Sequence, residues 1–345
     1  MSKFQITPWR ILFATIVAMT AFQLFVNFEK ENKMIAELEQ EPSHVVCLGR
    51  SLIDIPIRLV ASYGMTYFAA WHITTNVESA EAFRTRLKER IEELQATKNE
   101  YGRQSLEIVK DAGGDWEGKI LLFDRESLRA VDNGVESYRE IVKIEGYLNA
   151  KGISFDISTG VRTEADLEEL GDLIKKMRVR GQDEIPRESG FCFDHGIIVG
   201  KENPTLSEGI TLFAGYPSSD DLAIVLDSTA GAKEPDTLLQ RVAAIEERQM
   251  YPSSFKDLRI GTRRINSYDG EEVLSRITER DGRSNHSFMW ESVPTKKDVY
   301  RPLITMELST GHSSAIEQKR TPFTDSEAIA LWDRVTATLR TRPLD

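Results

Sequence analysis

Cysteine is scarce in this chain: 345 residues contain two, Cys47 and Cys192. That excludes a disulfide-dense small scaffold, and five histidines are too few to favour a multi-ligand zinc site. Positive charge is also in deficit. Lys plus Arg total 44 against 55 for Asp plus Glu, a formal net charge of −11. Nucleic-acid binding rests on a cationic footprint and is set aside on that ground. The common catalytic signatures are missing as well. There is no G-x-S-x-G elbow, no G-x-x-x-x-G-K-[ST] phosphate loop, no G-x-G-x-x-G turn, and no H-E-x-x-H, C-x-x-C or EF-hand pattern. The expectation is no catalytic residue, no cofactor and no metal.

The composition that remains is globular, with 40% hydrophobic and 29% charged residues, and the length suits about two domains. The apolar residues are unevenly spread. Ile11 to Phe28 (ILFATIVAMTAFQLFVNF) is a run of 18 residues without a charge. As a helix it would span about 27 Å, close to the thickness of a bilayer's hydrocarbon core. Lys3 and Arg10 precede it, and the exit VNFEKENK offers no A-x-A-like cleavage site. The reading is an uncleaved single-pass anchor (1–28), with a cleaved signal peptide as the alternative. A charged, helix-prone stalk (29–42) follows. The short tail is the easier side to leave in the cytoplasm, which puts the body in the periplasm, tethered to the inner membrane.

The body reads as α+β, in two similar lobes of mixed sheet and helix, 43–184 and 185–345. In the first lobe HVVCLGRSLIDIPIRL and MTYFAAWHITT are two strand-like runs. Phe83, Leu87, Ile91 and Leu94 then mark an amphipathic helix, and GKILLFDR, VESYREIVKIEGYLNAKG and ISFDIST are strands. Leu167, Leu170, Leu173, Ile174 and Met177 line one face of a second helix. RGQDEIPRESG breaks the pattern and is the domain boundary, its acidic stretch QDEIPRE read as a solvated linker. The second lobe repeats the order. FCFDHGIIVG, ITLFAGYP and LAIVLDST are strands, EPDTLLQRVAAIEERQM a helix with Leu238, Leu239, Val242 and Ile245 inward, and four strands follow. A last helix opens with the Thr324/Glu327 capping box and carries Ala328, Trp332, Val335 and Leu339 on one face. The shared order suggests an ancient duplication, although residue identities repeat little.

Few residues suggest chemistry. Asp194-His195 follows Cys192, but residues three apart on a strand point to opposite faces, so a Cys-His pair would need a turn. The plainer reading is a strand end followed by a turn at Gly196. His44, His72, His286 and His312 are isolated in sequence. Asp115 and Trp116, in the glycine-rich DAGGDWEGK, and Trp290, in HSFMWES, are candidate partner anchors, because aromatics dominate interface hot spots; a tryptophan folded onto its own core is the alternative for each. In an exported body Cys47 and Cys192 are free to form a disulfide tying the halves together; two separate buried thiols is the other possibility.

Three ordered segments carry a resemblance. VVCLGRSLIDIP, SGFCFDHGII, and the tail PLITMELSTG with PFTDSEAIALWDRVTATLRTRP resemble the two-domain Tle-cognate immunity proteins that neutralise type VI secretion lipase effectors. The resemblance spans about Ser43 to Pro343. It implies two lobes that bind a phospholipase effector in the periplasm, clamping it with its lid closed, and no catalytic residues. It casts Cys47, Gly49, Arg50, Asp54 and Pro56 as fold determinants rather than contacts. An apparent transmembrane anchor in place of a cleaved or lipoprotein-type signal is this chain's departure from many relatives. The alternatives are a membrane-anchored envelope enzyme around Asp194-His195 and an envelope scaffold of unknown partner.

Overall fold

Alternating apolar and polar residues drive much of the described chain into strands, as the inward-outward burial of Leu303–Thr310 illustrates. The computed structural model describes residues 29–132, 135–200, 207–231, 236–296, 298–311 and 321–344. The first half comprises β1 (Ser43–Leu48), β2 (Ser51–Pro56), β3 (Val60–Phe68), β4 (Trp71–Val77), α2 (Ala80–Ala96), β5 (Leu106–Asp111), β6 (Glu117–Asp132), β7 (Val135–Ala150), β8 (Ile153–Ser158), α3 (Asp166–Lys176) and β9 (Met177–Val179). The second comprises β10 (Gly190–Phe193), β11 (Gly196–Val199), β12 (Glu208–Tyr216), β13 (Ser219–Ala230), α4 (Leu238–Ala243), α5 (Glu246–Met250), β14 (Phe255–Thr262), β15 (Gly270–Thr278), β16 (Ser284–Ser292), β17 (Leu303–Thr310), α6 (Asp325–Thr336) and β18 (Arg340–Thr341). Residues 29–40 form the preceding helix, α1.

The halves are not separate bodies. One 12-stranded sheet runs β14-β15-β16-β17-β13-β12-β3-β4-β8-β7-β6-β5. The first half contributes β3-β4-β8-β7-β6-β5 and the second β12-β13-β17-β16-β15-β14, the same order with each strand replaced by its counterpart. The two meet at the antiparallel β3–β12 pair. Every strand pair described is antiparallel. One apolar core, from Val46 through Phe155 and Phe288 to Leu339, continues across both halves. Helix α2 covers the other sheet face, with Leu94 against Leu106, Leu121 and Phe123.

The ends of the halves are exchanged. The β1–β2 hairpin pairs with β18 from the far end of the chain, and the β10–β11 hairpin pairs with β9 from the first half. The registers match: Thr341 faces Ser51 as Val179 faces Gly196. Arg342 N–H donates to the Arg50 carbonyl (2.9 Å) as Arg180 N–H donates to that of His195 (2.8 Å).

Several sequence expectations are corrected. HVVCLGRSLIDIPIRL is a hairpin, turning at Gly49-Arg50 with Gly49 at φ +60°. MTYFAAWHITT is also a hairpin, because Ala69 and Ala70 both adopt left-handed backbone (φ 53° and 63°), a turn no glycine announces. The helix read over EPDTLLQRVAAIEERQM is, among its described residues, broken into α4 and α5. Of the four residues read as inward only Leu238 is buried, and Ile245 at the break is 38% exposed. Met177 is buried in β9, beyond the end of α3. Strand β5 is additional. The stalk does not stand off the body: Leu38 of α1 is in the core, Glu41 pairs with Arg58, and Arg334 binds the Glu41 carbonyl. Among the described residues no helix is long and apolar enough to cross a membrane; the run Ile11–Phe28 lies outside them.

Candidate functional site

The junction between halves is built from the hairpins that open each of them. Cys47 and Cys192 are joined by a disulfide, Cα–Cα 5.9 Å, across 145 residues. Beside it Gly49 and Cys192 exchange backbone hydrogen bonds of 3.0 and 2.8 Å. A Cβ at Gly49 would stand 3.1 Å from the Phe191 ring, so close approach and positive φ both require glycine there. Arg50 is buried and grips Glu208 with two bonds (2.8 and 2.6 Å) while lying over the Tyr300 ring. Asp54 binds Arg340 at 2.8 Å, and the Pro56 carbonyl accepts from Leu59. Cys47, Gly49, Arg50, Asp54 and Pro56 thus each make contacts within the fold.

The linker is solvated on its side chains, with Gln182, Asp183, Glu184 and Arg187 exposed, while buried arginines hold its backbone. Arg180 and Arg342 are both 2% exposed. Arg180 donates to the carbonyls of Gly181, Gln182, Glu184 and Phe193, and Arg342 to those of Pro186, Glu188 and Gly190. Burial holds the Arg342 guanidinium below its ordinary value. Tyr63, whose hydroxyl donates to the Cys47 carbonyl (2.7 Å), is pushed up to about 12 by burial. The sequence reading gave neither arginine a role, although R-x-R occurs before the boundary (Arg178–Arg180) and again near the C-terminus (Arg340–Arg342).

Asp194 and His195 form the β10–β11 turn, with His195 at φ 51° and its Nε2 3.9 Å from Asp194 Oδ1. Burial pushes the Asp194 carboxyl above its ordinary range, against the pull of His195 and Arg180. The Cys192 sulfur is committed to Cys47, so no thiolate is available to His195.

A cleft of about 770 Å³ opens at the end of the first half's sheet. Its walls include Asp115 and Trp116 from the β5–β6 loop, Lys151 from the β7–β8 turn, Lys175 and Met177 around the end of α3, and His195. The structure thus brings Asp115, Trp116 and His195 to one cleft. Trp116 is half-buried, edge-on to Phe155 at 5.7 Å, and Asp115 is exposed. Trp290 belongs elsewhere. It is 0% exposed and its indole N–H donates to the Arg263 carbonyl (2.9 Å), so it is a core residue and unavailable to a partner. Among the described residues no group of three or more His, Cys, Asp or Glu could hold a metal.

Two family models match this chain. Residues 44–180 match the Tle cognate immunity protein 4 N-terminal domain, and residues 184–344 its C-terminal domain. The chain belongs to the Tle cognate immunity protein 4 family. The matched ranges leave only 181–183 between them, inside the boundary read from the sequence. Among solved structures, the chain is similar to the apo immunity protein TplEi of the T6SS from Pseudomonas aeruginosa. Identity is 23% and the TM-score 0.73, over 89% of this chain and 100% of that one. A chain of the Tle4-Tli4 complex matches at 23% identity and TM-score 0.74, over 88% and 98%. TplEi complexed with "L" peptide matches at 23% and 0.70, over 87% and 98%. At that identity the likeness shows the fold. No curated protein sequence matches the chain significantly.

Proposed function

We propose that this protein is an immunity protein that binds a cognate type VI secretion lipase effector and holds it inactive. The carrying observation is that both domain models of an immunity family match in order along one chain whose fold is that of the Tle4-Tli4 complex's immunity class. Inhibition of this kind works by binding rather than catalysis: it needs a rigid complementary surface, and a disulfide, a shared sheet and exchanged end strands supply rigidity. We place the body in the periplasm, tethered to the inner membrane through Ile11–Phe28. The Cys47–Cys192 bridge supports an oxidising compartment, and a tether would raise the local concentration where a lipase attacks. Clamping of the lipase with its lid closed is the mode proposed.

Co-expression tests the reading. The lipase encoded beside this gene, directed to the periplasm, should lyse cells alone and leave them growing when this protein is present. Persistent lysis at good expression of the full chain overturns it.

A further inference from the structure

The duplication makes each half a reference for the other, and at one place they disagree. In the second half the β14–β15 loop is folded inward. Ile265 and Tyr268 are each 3% exposed and exchange backbone hydrogen bonds of 2.9 Å. The Asn266 side-chain amide donates to the carbonyls of Ala337 (3.0 Å) and Leu339 (2.7 Å), and Tyr268 reaches Ser51 and Thr341. The loop fills the space between the sheet end, the C-terminus of α6 and the exchanged hairpin.

The equivalent loop in the first half is one residue shorter and can be aligned from its two anchored ends. Ala112 N–H donates to Gly118 O as Arg263 N–H donates to Gly270 O. Gly118 and Gly270 each face the carbonyl of the residue preceding their strand partner, so neither tolerates a Cβ. Trp116 is therefore the counterpart of Tyr268. Between the paired anchors the second half has Arg264-Ile265-Asn266-Ser267 and the first has Gly113-Gly114-Asp115. No aliphatic side chain and no amide stand where Ile265 and Asn266 would. The β9–β11 and β18–β2 registers make Lys175, Met177 and Val179 the counterparts of Ala337, Leu339 and Thr341. All three line the 770 Å³ cleft. The cleft is thus the plug position of the first half, left open. Val179 and Gly196 replace Thr341 and Ser51 at its inner end, which removes the hydroxyls that Tyr268 binds.

We infer that this cleft receives a polypeptide turn of the lipase effector. That turn presents an aliphatic side chain over Trp116, followed by an amide or hydroxyl donor to the backbone at Lys175–Met177. The inference rests on the proposed function for the partner's identity and on the internal copy for its chemistry. Lys151 at the rim favours an acidic contact on that turn, beside Asp115 and the Lys175–Asp172 pair (2.8 Å).

The test titrates the purified neighbouring lipase, with its nucleophile removed, against the full chain and three variants. Lys175→Trp fills the mouth from a helix-end side chain that is 75% exposed, so the fold is spared. Trp116→Ala removes the wall, and Tyr268→Phe alters only the filled half. The inference expects Lys175→Trp and Trp116→Ala to weaken binding by about tenfold or more, with Tyr268→Phe as wild type. Should Trp116→Ala fail to fold, Lys175→Trp decides alone. Wild-type affinity in Lys175→Trp overturns the cleft as the docking site and leaves the proposed function standing. No binding by the wild type overturns the function, and the docking site with it.

Discussion

Buried ionic side chains in this protein have identifiable partners. Arg50 meets Glu208. His286, 1% exposed, sits with Nδ1 3.0 Å from Thr310 Oγ1 and Nε2 3.1 Å from Asp325 Oδ1. Burial holds its imidazole below the ordinary value, against the pull of Asp325 and with Arg276 adding to the depression. Burial acts upward on Asp325, but Lys256, His286 and Arg276 hold its carboxyl below the ordinary range. The sign follows from proton linkage. An unfolded His286 takes its proton at about pH 6.5, before the folded one does, so the unfolded state binds more protons in that window. Stability contributed by neutral His286 is present above about pH 6.5 and is lost as pH falls below it. Asp325 adds its own loss at lower pH, beneath its ordinary range. Urea unfolding at pH steps from 7 to 5 should show stability falling in the wild type and a flatter dependence in His286→Gln. Equal slopes would remove His286 as the cause. None of this was legible beforehand, since His286 stood isolated among four other histidines.

Elements were readable where local pattern and tertiary demand agreed. The spacing of Phe83, Leu87 and Leu94 gave α2, and the Thr324/Glu327 capping box gave the start of α6; both bonds of that box are formed. Elements were lost where the turn lacked its usual residue. Ala69-Ala70 carries a hairpin without glycine or asparagine, so two strands read as one. The long helix around Ile245 failed because its face is only shallowly covered; a 3.6-residue period needs a core to make it one helix. Asp115 and Trp116, chosen from a glycine-rich loop as candidate anchors, line a cleft, whereas Trp290, chosen for the same aromatic character, lies in the core. Which aromatic faces outward depends on the opposing layer, and one strand's sequence does not contain that layer. The hairpins also hold a prediction. Closing 145 residues, the Cys47–Cys192 bridge should stabilise by about 4–5 kcal/mol on the chain-entropy account. Cys47→Ser with Cys192→Ser should lower the denaturation free energy by that order. Denaturant titrations with and without reductant check it: no difference in the wild type, with two thiols titrating in unreduced protein, would refute the bridge.

At the scale of the whole molecule, the sequence order foretold a repeated plan but not the exchange of ends. Strand pairing between residues 290 positions apart, Ser51 with Thr341, has no local signature. The exchange makes the halves interdependent. Fragments cut within 181–183 keep every named element intact, yet each leaves its own hairpin without its third strand. Alone, residues 29–181 and 182–345 should be aggregated or unfolded; refolded together they should elute as a 1:1 complex with the circular dichroism of the intact chain. Independent folding of either fragment, seen as a sharp thermal transition in isolation, would contradict this. The intact chain should unfold in a single transition, because one core crosses the boundary.

The bridged cysteines are counterparts of each other, each in the first strand of its own half. Two identical copies, each with one such cysteine, would meet in the same way across a two-fold axis, as a covalent homodimer. In that arrangement any change in the β5–β6 loop would be imposed on both copies, so both clefts would be open or both filled. Joining the copies in one chain lifts that constraint. One copy can keep its loop tucked in for stability while the other gives it up for recognition.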